Sequence, residues 1–450
     1  MMEVYMKERM KKLGVLLLGT IMALQLTACG GTDNKKPDSS EKTAESGEAS
    51  DEEITLTIWH QSVADTDPVK AIIEDSVEDY HKLHPNVTIV QDGVTGEQYK
   101  TKIKTAFAAG EAPDISYMFS GGSFVKPYID AGYLLPIDDY LTEETKNKVL
   151  PGMLDTCVYN GKTYTLPTVT FLANLYCNTE MFEAAGAEYP TNWEELLEAS
   201  KKLKDAGYTP IIIGEKDRWP GMYWYDIVSA RQAGNPAVEE AFADPTKFNS
   251  EPFIEAAAKM QELVKAGAFN DNMMSMSYDE MVAGFAAGQG AMIFQANWVH
   301  PMFEDESAVT NGKVKCIPFP VFEDGTGTIT EFSGGSSDGY YINAETKYPE
   351  EAVEYLEYLS ARIGKEGYEN GAGLPCWDVT GADESKITTL GKESAALMET
   401  GTSYISWWDN ILSADDSETY KNLVAELMAL KITPEEFAEK MAKLQPSDFY

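Results

Sequence analysis

Ile54-Thr-Leu-Thr-Ile-Trp59, Asn86-Val-Thr-Ile-Val90 and Asp114-Ile-Ser-Tyr-Met-Phe119 are short runs rich in β-branched and aromatic residues, and each reads as a strand. Between the first two, Asp67-Pro68 supplies an N-cap and a first-turn proline. The helix that follows places Val69, Ile72, Ile73, Val77, Tyr80 and Leu83 on one face and stops at Pro85. Between the second and third runs, residues 98–109 repeat the pattern with Tyr99, Ile103, Ala106 and Phe107. Strand–helix–strand–helix–strand at this spacing predicts an α/β unit with a parallel sheet. Ligands of such sheets sit beyond the carboxyl ends of the strands. Here those ends are Trp59-His60-Gln61-Ser62 and Phe119-Ser120-Gly121-Gly122-Ser123, both rich in aromatic and hydrogen-bonding groups.

Upstream, Lys7, Arg9, Lys11 and Lys12 precede an apolar run over 14–26, the charged and hydrophobic parts of a signal peptide. The run is too short for a membrane span. Leu26-Thr-Ala-Cys29, followed by Gly30 and Gly31, resembles the bacterial lipoprotein lipobox. That resemblance implies cleavage after residue 28 and a diacylglyceryl anchor on Cys29, on the extracellular face of the cell membrane. Residues 30–53 contain no large apolar side chain and read as a disordered tether. Its root-mean-square reach is roughly 25–30 Å as a flexible coil.

The chain carries 36 Lys+Arg against 73 Asp+Glu, a formal charge of −37. Such a surface repels nucleic acid and anionic headgroups and favours solubility. Cys157, Cys177, Cys316 and Cys376 are widely scattered, with no C-x-x-C pair, so a zinc or redox motif is disfavoured. They permit two disulfides in three connectivities, or four buried thiols. From about residue 170 the alternation resumes with longer helices. Asn192 caps a helix with Glu195 as its capping-box partner, residues 211–213 form a buried strand, and 252–266, 277–287, 349–359 and 418–430 read as helices.

Gly110-Glu-Ala-Pro-Asp-Ile115 resembles the G-x-x-P-D-hydrophobic segment of bacterial extracellular solute-binding proteins. The likeness continues through Gly132-Tyr-Leu-Leu-Pro-Ile-Asp138, Tyr159-Asn-Gly-Lys-Thr-Tyr-Thr-Leu-Pro167, Leu175-Tyr-Cys-Asn178 and Pro190-Thr-Asn-Trp-Glu-Glu-Leu196. It ends with Gly288-Gln-Gly-Ala-Met-Ile293 and Asn297-Trp298. The similar group is the carbohydrate-binding branch, which includes maltodextrin receptors of ATP-driven importers. This resemblance implies a two-lobed periplasmic-binding-protein-like fold of type II. Each lobe would be a mainly parallel sheet flanked by helices, with a ligand cleft between lobes. By analogy, residues 54–168 and 317–362 form one lobe and 169–316 and 363–450 the other, with crossings near 166–170, 317–320 and 362–364. The implied protein is a monomeric, lipid-anchored receptor that delivers a sugar or oligosaccharide to the permease subunits of an ABC-type importer, without cofactor or metal.

A sugar site needs flat aromatic faces and groups that each bond two hydroxyls. Trp219-Pro-Gly-Met-Tyr-Trp224-Tyr-Asp226 and Ser406-Trp-Trp-Asp-Asn410 gather such groups. Trp298 and Trp408 match positions where maltodextrin-type receptors carry stacking aromatics; one of Trp407 and Trp408 faces the core, and Trp408 is favoured for the cleft. The expected ligand contacts are Trp59, His60, Gln61, Asp114, Ser120, Trp219, Trp224, Asp226, Trp298, Gly335, Ser336, Trp408 and Asp409. For Asp114 a structural cap at the strand start is an equal alternative, while Trp193 reads as structural. Gly335-Ser-Ser-Asp-Gly339 fits the G-x-S-x-G elbow, but Tyr340-Tyr-Ile342 reads as a strand where a helix is needed. His81 and His84 fall on a solvated helix face. A glycoside hydrolase is the rival function, because acid pairs and tryptophans are also its toolkit. In so acidic a chain, pairs of acids discriminate nothing.

Overall fold

The computed structural model describes residues 52–335 and 338–447. Cys29, the signal segment, almost all of the tether and Ser336 lie outside the described residues. The chain opens with β1 (Ile54–His60), α1 (Pro68–Leu83), β2 (Val87–Gly93), α2 (Gly96–Ala109) and β3 (Ile115–Met118). Next come β4 (Val169–Thr170), β5 (Ala173–Asn178), α3 (Trp193–Asp205), α4 (Trp219–Ala233), α5 (Glu251–Ala266), α6 (Tyr278–Ala286), β6 (Met292–Ala296) and β7 (Val314–Ile317). The remainder runs through β8 (Glu331–Ser333), β9 (Gly339–Ile342), α7 (Pro349–Arg362), β10 (Leu374–Pro375), α8 (Thr389–Glu399), β11 (Ser403–Ile405), α9 (Ala414–Met428) and α10 (Pro434–Met441).

The first lobe follows its alternation. Asp67 accepts the Val69 N–H at 2.9 Å, and Pro68 at the first helical position needs no donor, so α1 starts there. The sheet order is β9–β3–β1–β2, with β1 parallel to both neighbours and β9 antiparallel to β3. Ile54, Leu56 and Ile58 alternate into the core with Ile72, Ile73 and Tyr80 of α1 and Tyr355 and Leu359 of α7. Leu83, at the end of the helix stripe, is exposed.

The second lobe departs from expectation in its sheet. β5 lies between β6 and β7, and both pairings are antiparallel. Residues 211–213 are fully buried, yet they join this sheet only through a parallel bridge from Ile211 to Met292. Asn192 caps α3 through the Glu195 N–H, while the Glu195 carboxylate reaches one residue further, to Thr191. Trp193 is buried and donates its indole N–H to Glu262, a structural role.

Two hydrophobic cores divide the later part of the chain between them. Phe319 and Phe322 pack in the second lobe, and β8 pairs with β11, so the chain stays there past Ile317. It returns to the first lobe between Ser333 and Gly339, where β9 joins the first sheet. Cys376 and Trp377 still belong to the first core, and the chain reaches the second lobe only at α8, far beyond Gly364. β4 pairs antiparallel with β10. Beside it, the Trp377 indole donates to the Pro167 carbonyl. A Cβ on Gly364 would come within 2.3 Å of the Trp377 ring, so glycine is required for this approach.

Candidate functional site

The carboxyl ends of β1 and β3 form one wall of the cleft. Half-buried Trp59 clusters with Tyr99, Phe119 and Phe124. The Lys102 ammonium lies 4.1 Å above the Trp59 ring and that of Lys100 lies 4.7 Å above Phe119. Asp338, just ahead of β9, accepts the Tyr117 hydroxyl at 2.9 Å and the Ser120 N–H at 2.8 Å. Burial raises the pKa of its carboxyl, and those two donors and the Lys100 charge pull the other way.

The opposite wall is aromatic. Trp219 and Tyr223 stand one turn apart on α4, with ring centroids 5.1 Å apart. Trp219 lies 4.5 Å from Tyr278, the first residue of α6, and Tyr278 accepts the Trp298 indole N–H at 2.8 Å. Trp298, in the turn after β6, meets Phe171 at 5.1 Å and Trp407 at 6.0 Å. Trp407 stacks on Tyr223 at 4.4 Å with an interplanar angle of 21°. Beside this group Asp409 sits 3.6 Å from the Lys421 ammonium. Burial raises the Tyr223 hydroxyl well above its ordinary pKa; the Asp409, Asp226 and Asp338 charges push the same way.

The lobes touch directly here. The Gly122 N–H donates to the Asn410 carbonyl, and the Asn410 amide donates to the Ser120 hydroxyl at 3.1 Å. Gly121 has φ +97°, and a Cβ there would lie 2.4 Å from the Asn410 Cα, so only glycine allows this approach.

Among the expected contacts, Trp59 and Ser120 lie at the carboxyl ends of the first sheet and Trp219, Trp298 and Asp409 on the second lobe; the two sides meet in the region where Asn410 bonds Ser120. Gly335 lies at its edge, where its N–H donates to the Phe171 carbonyl. Others go elsewhere. His60 is 5% exposed and bonds Gln91 on the adjacent strand, with Gln61 half-buried behind it. Asp114 stands at the amino end of β3, away from the cleft, and accepts the Thr57 N–H and the Thr57 and Thr346 hydroxyls. It is the structural cap. Trp224 is one residue past Tyr223, which turns it about 100° away on a helix, into a core of Phe269, Phe294 and Phe319. Trp408 is fully buried among Tyr225, Phe242, Phe248 and Tyr420, whereas Trp407, 5% exposed, packs on Tyr223 and Trp298 of the ring cluster. Asp226, also fully buried, accepts from Trp408 and Tyr420 and lies behind the wall.

Sequence reasoning singled out none of Phe171, Tyr278 and Asp338, quoted Tyr223 only within its cluster, and set Trp407 second to Trp408. The four-residue spacing from Trp219 points to Tyr223, and Asp338 was hidden inside the G-x-S-x-G reading.

The chain matches the family model for the bacterial extracellular solute-binding protein over residues 63–365. An uncharacterized ABC transporter extracellular-binding protein of Pyrococcus horikoshii is 22% identical over 354 residues, covering 77% of this chain and 76% of that one. A solved structure from work on xylan utilization by the thermophilic bacterium Caldanaerobius polysaccharolyticus is 37% identical, with a TM-score of 0.82 over 86% of this chain and 99% of the other. A chitin oligosaccharide binding protein is 26% identical, with a TM-score of 0.76 over 86% and 97% of the two chains. The chain belongs to the bacterial extracellular solute-binding protein family and has its two-lobed α/β fold.

Proposed function

We propose that this chain is a lipid-anchored receptor that captures a sugar or oligosaccharide between its lobes and delivers it to an ABC-type importer. The observation that carries the proposal is the cluster of Phe171, Trp219, Tyr223, Tyr278, Trp298 and Trp407, with Asp409 two residues beyond Trp407. Aromatic faces match the C–H patches of a pyranose ring, and carboxylates match its hydroxyls. The relatives tied to xylan utilization and chitin oligosaccharide binding support a carbohydrate of more than one unit.

In this reading residues 54–170 and 339–377 move as one lobe and 171–333 and 389–447 as the other. Ligand favours the closed arrangement because both walls touch it only there. The anchor is the lipid on Cys29, and Cys29→Ala would release the protein from cells into the medium.

The test is intrinsic tryptophan fluorescence of the full chain, titrated with xylo-, malto- and chito-oligosaccharides, each mixture then chromatographed. A saturable change with the sugar recovered intact supports the receptor. Cleaved sugar would overturn transport in favour of a glycoside hydrolase, whose toolkit of acids and aromatic rings is the same.

A further inference from the structure

Asp226 lies on α4 behind the aromatic wall and is fully buried. Its Oδ2 accepts the backbone N–H of Trp408 at 3.2 Å, and its Oδ1 accepts the Tyr420 hydroxyl. The Trp408 ring stacks on Tyr420 at 5.2 Å and meets Phe242 at 5.0 Å, so the indole is held from several sides. The neighbours of Trp408 in sequence do different work. Trp407 stacks on Tyr223, Asp409 faces Lys421, and Asn410 bonds Ser120 and Gly122 of the other lobe.

The segment 406–410 has almost no regular structure to hold it, with a single helical turn beginning at Trp408. Burying a carboxyl group completely is an expensive way to fill space. It is well suited to fixing a backbone N–H and a phenol at the same time.

We infer that Asp226 is a positioning residue of the ligand site: through the Trp408 N–H and the Tyr420 hydroxyl it sets the 406–410 turn, and with it Trp407, Asp409 and Asn410. This rests on the receptor reading above. The side chain touches no ligand itself. Its effect is on where the ring, the carboxylate and the contact between lobes stand before ligand arrives, so that less ordering is needed on binding.

The experiment is calorimetric titration of the full chain and its variants with xylotriose, maltotriose and chitotriose, alongside thermal melting. Asp226→Asn should bind the ligand taken by the wild type about tenfold more weakly, and Tyr420→Phe, which keeps the stacked ring, about threefold. The double variant should match Asp226→Asn within about twofold, since both act through one staple. Phe437→Leu, in the same core against Tyr225, is the control: it should lower the melting temperature and leave affinity unchanged. Should Asp226→Asn not fold, Tyr420→Phe and the control decide the matter. Affinities within about twofold of wild type, with only the melting temperatures lowered, would overturn the positioning role. A wild type that binds none of the three sugars would overturn the receptor reading and this role with it.

Discussion

The two walls of the cleft use the same kinds of ring and differ in what lies over them. On the first lobe, Trp59 and Phe119 are roofed by Lys102 and Lys100, whose ammonium groups are themselves paired with Asp92 and Glu97. On the second, Trp219, Trp298 and Tyr278 pack edge and face against one another and keep part of their surface open. A ligand meets the second wall as it stands. To reach the Trp59 face it must first displace a lysine that already holds a cation–π contact and an ion pair. The second wall is therefore the expected source of most of the affinity, and the first that of hydroxyl recognition through Asp338 and Ser120.

Acid should destabilise the second lobe through His300. His300 lies two residues past Trp298, is buried, and bonds Tyr176 at 2.7 Å. Burial lowers its pKa from 6.5 to about 3. The sign follows: below about 6.5 the unfolded chain binds a proton that the folded chain refuses, so this contribution to stability is lost as pH falls from 6.5 toward 3. The full loss is up to about 5 kcal/mol at the lower end. Urea unfolding at a series of pH values should show His300→Gln with a flatter acid limb than wild type; parallel limbs would remove His300 from the account.

The adjacent tryptophans divide the second wall into support and surface. Trp408→Ala should cost about 3–5 kcal/mol of stability, as for other fully buried large rings. Trp407→Ala should cost less stability and weaken ligand binding instead; melting curves and titrations that rank the pair the other way would exchange their roles.

Trp298→Ala removes the ring that touches Phe171, Trp219, Tyr223 and Trp407 at once, and should weaken binding by about 2–3 kcal/mol, roughly 30- to 150-fold. Trp59→Ala should weaken it by about 1 kcal/mol, roughly fivefold, because its face is already occupied. Equal losses at the two positions, measured by calorimetry on the same sugar, would erase the distinction between the walls.

Much of the first lobe was legible in the sequence because its strands alternate cleanly and its helices are amphipathic with recognisable caps. The second lobe hid more. Pro220 to Gln232 of α4 are buried all round, so no apolar stripe distinguished Tyr223, which packs on Trp219 and Trp407, from Trp224, which packs on Phe269, Phe294 and Phe319. Trp407 and Trp408 sit on a turn with no period to assign their faces. The later crossings depend on which distant core Phe319, Cys376 and Trp377 join, and local patterning carries no such information. Asp114 stayed open between ligand contact and cap because the sequence shows the strand start but not the Thr57 and Thr346 hydroxyls that the carboxylate bonds.

The four cysteines of the folded part are buried thiols, not disulfides: Cys157 and Cys376 in the first lobe, Cys177 and Cys316 in the second. Burial pushes Cys157 and Cys316 each up to about 12, far from the thiolate that alkylating reagents attack. While folded, the protein is thus chemically silent at all four positions, and each becomes reactive only when its own core opens. Two dormant clocks run in each half of the molecule, and a timed pulse of alkylation would read, without any engineered label, which half lets go first.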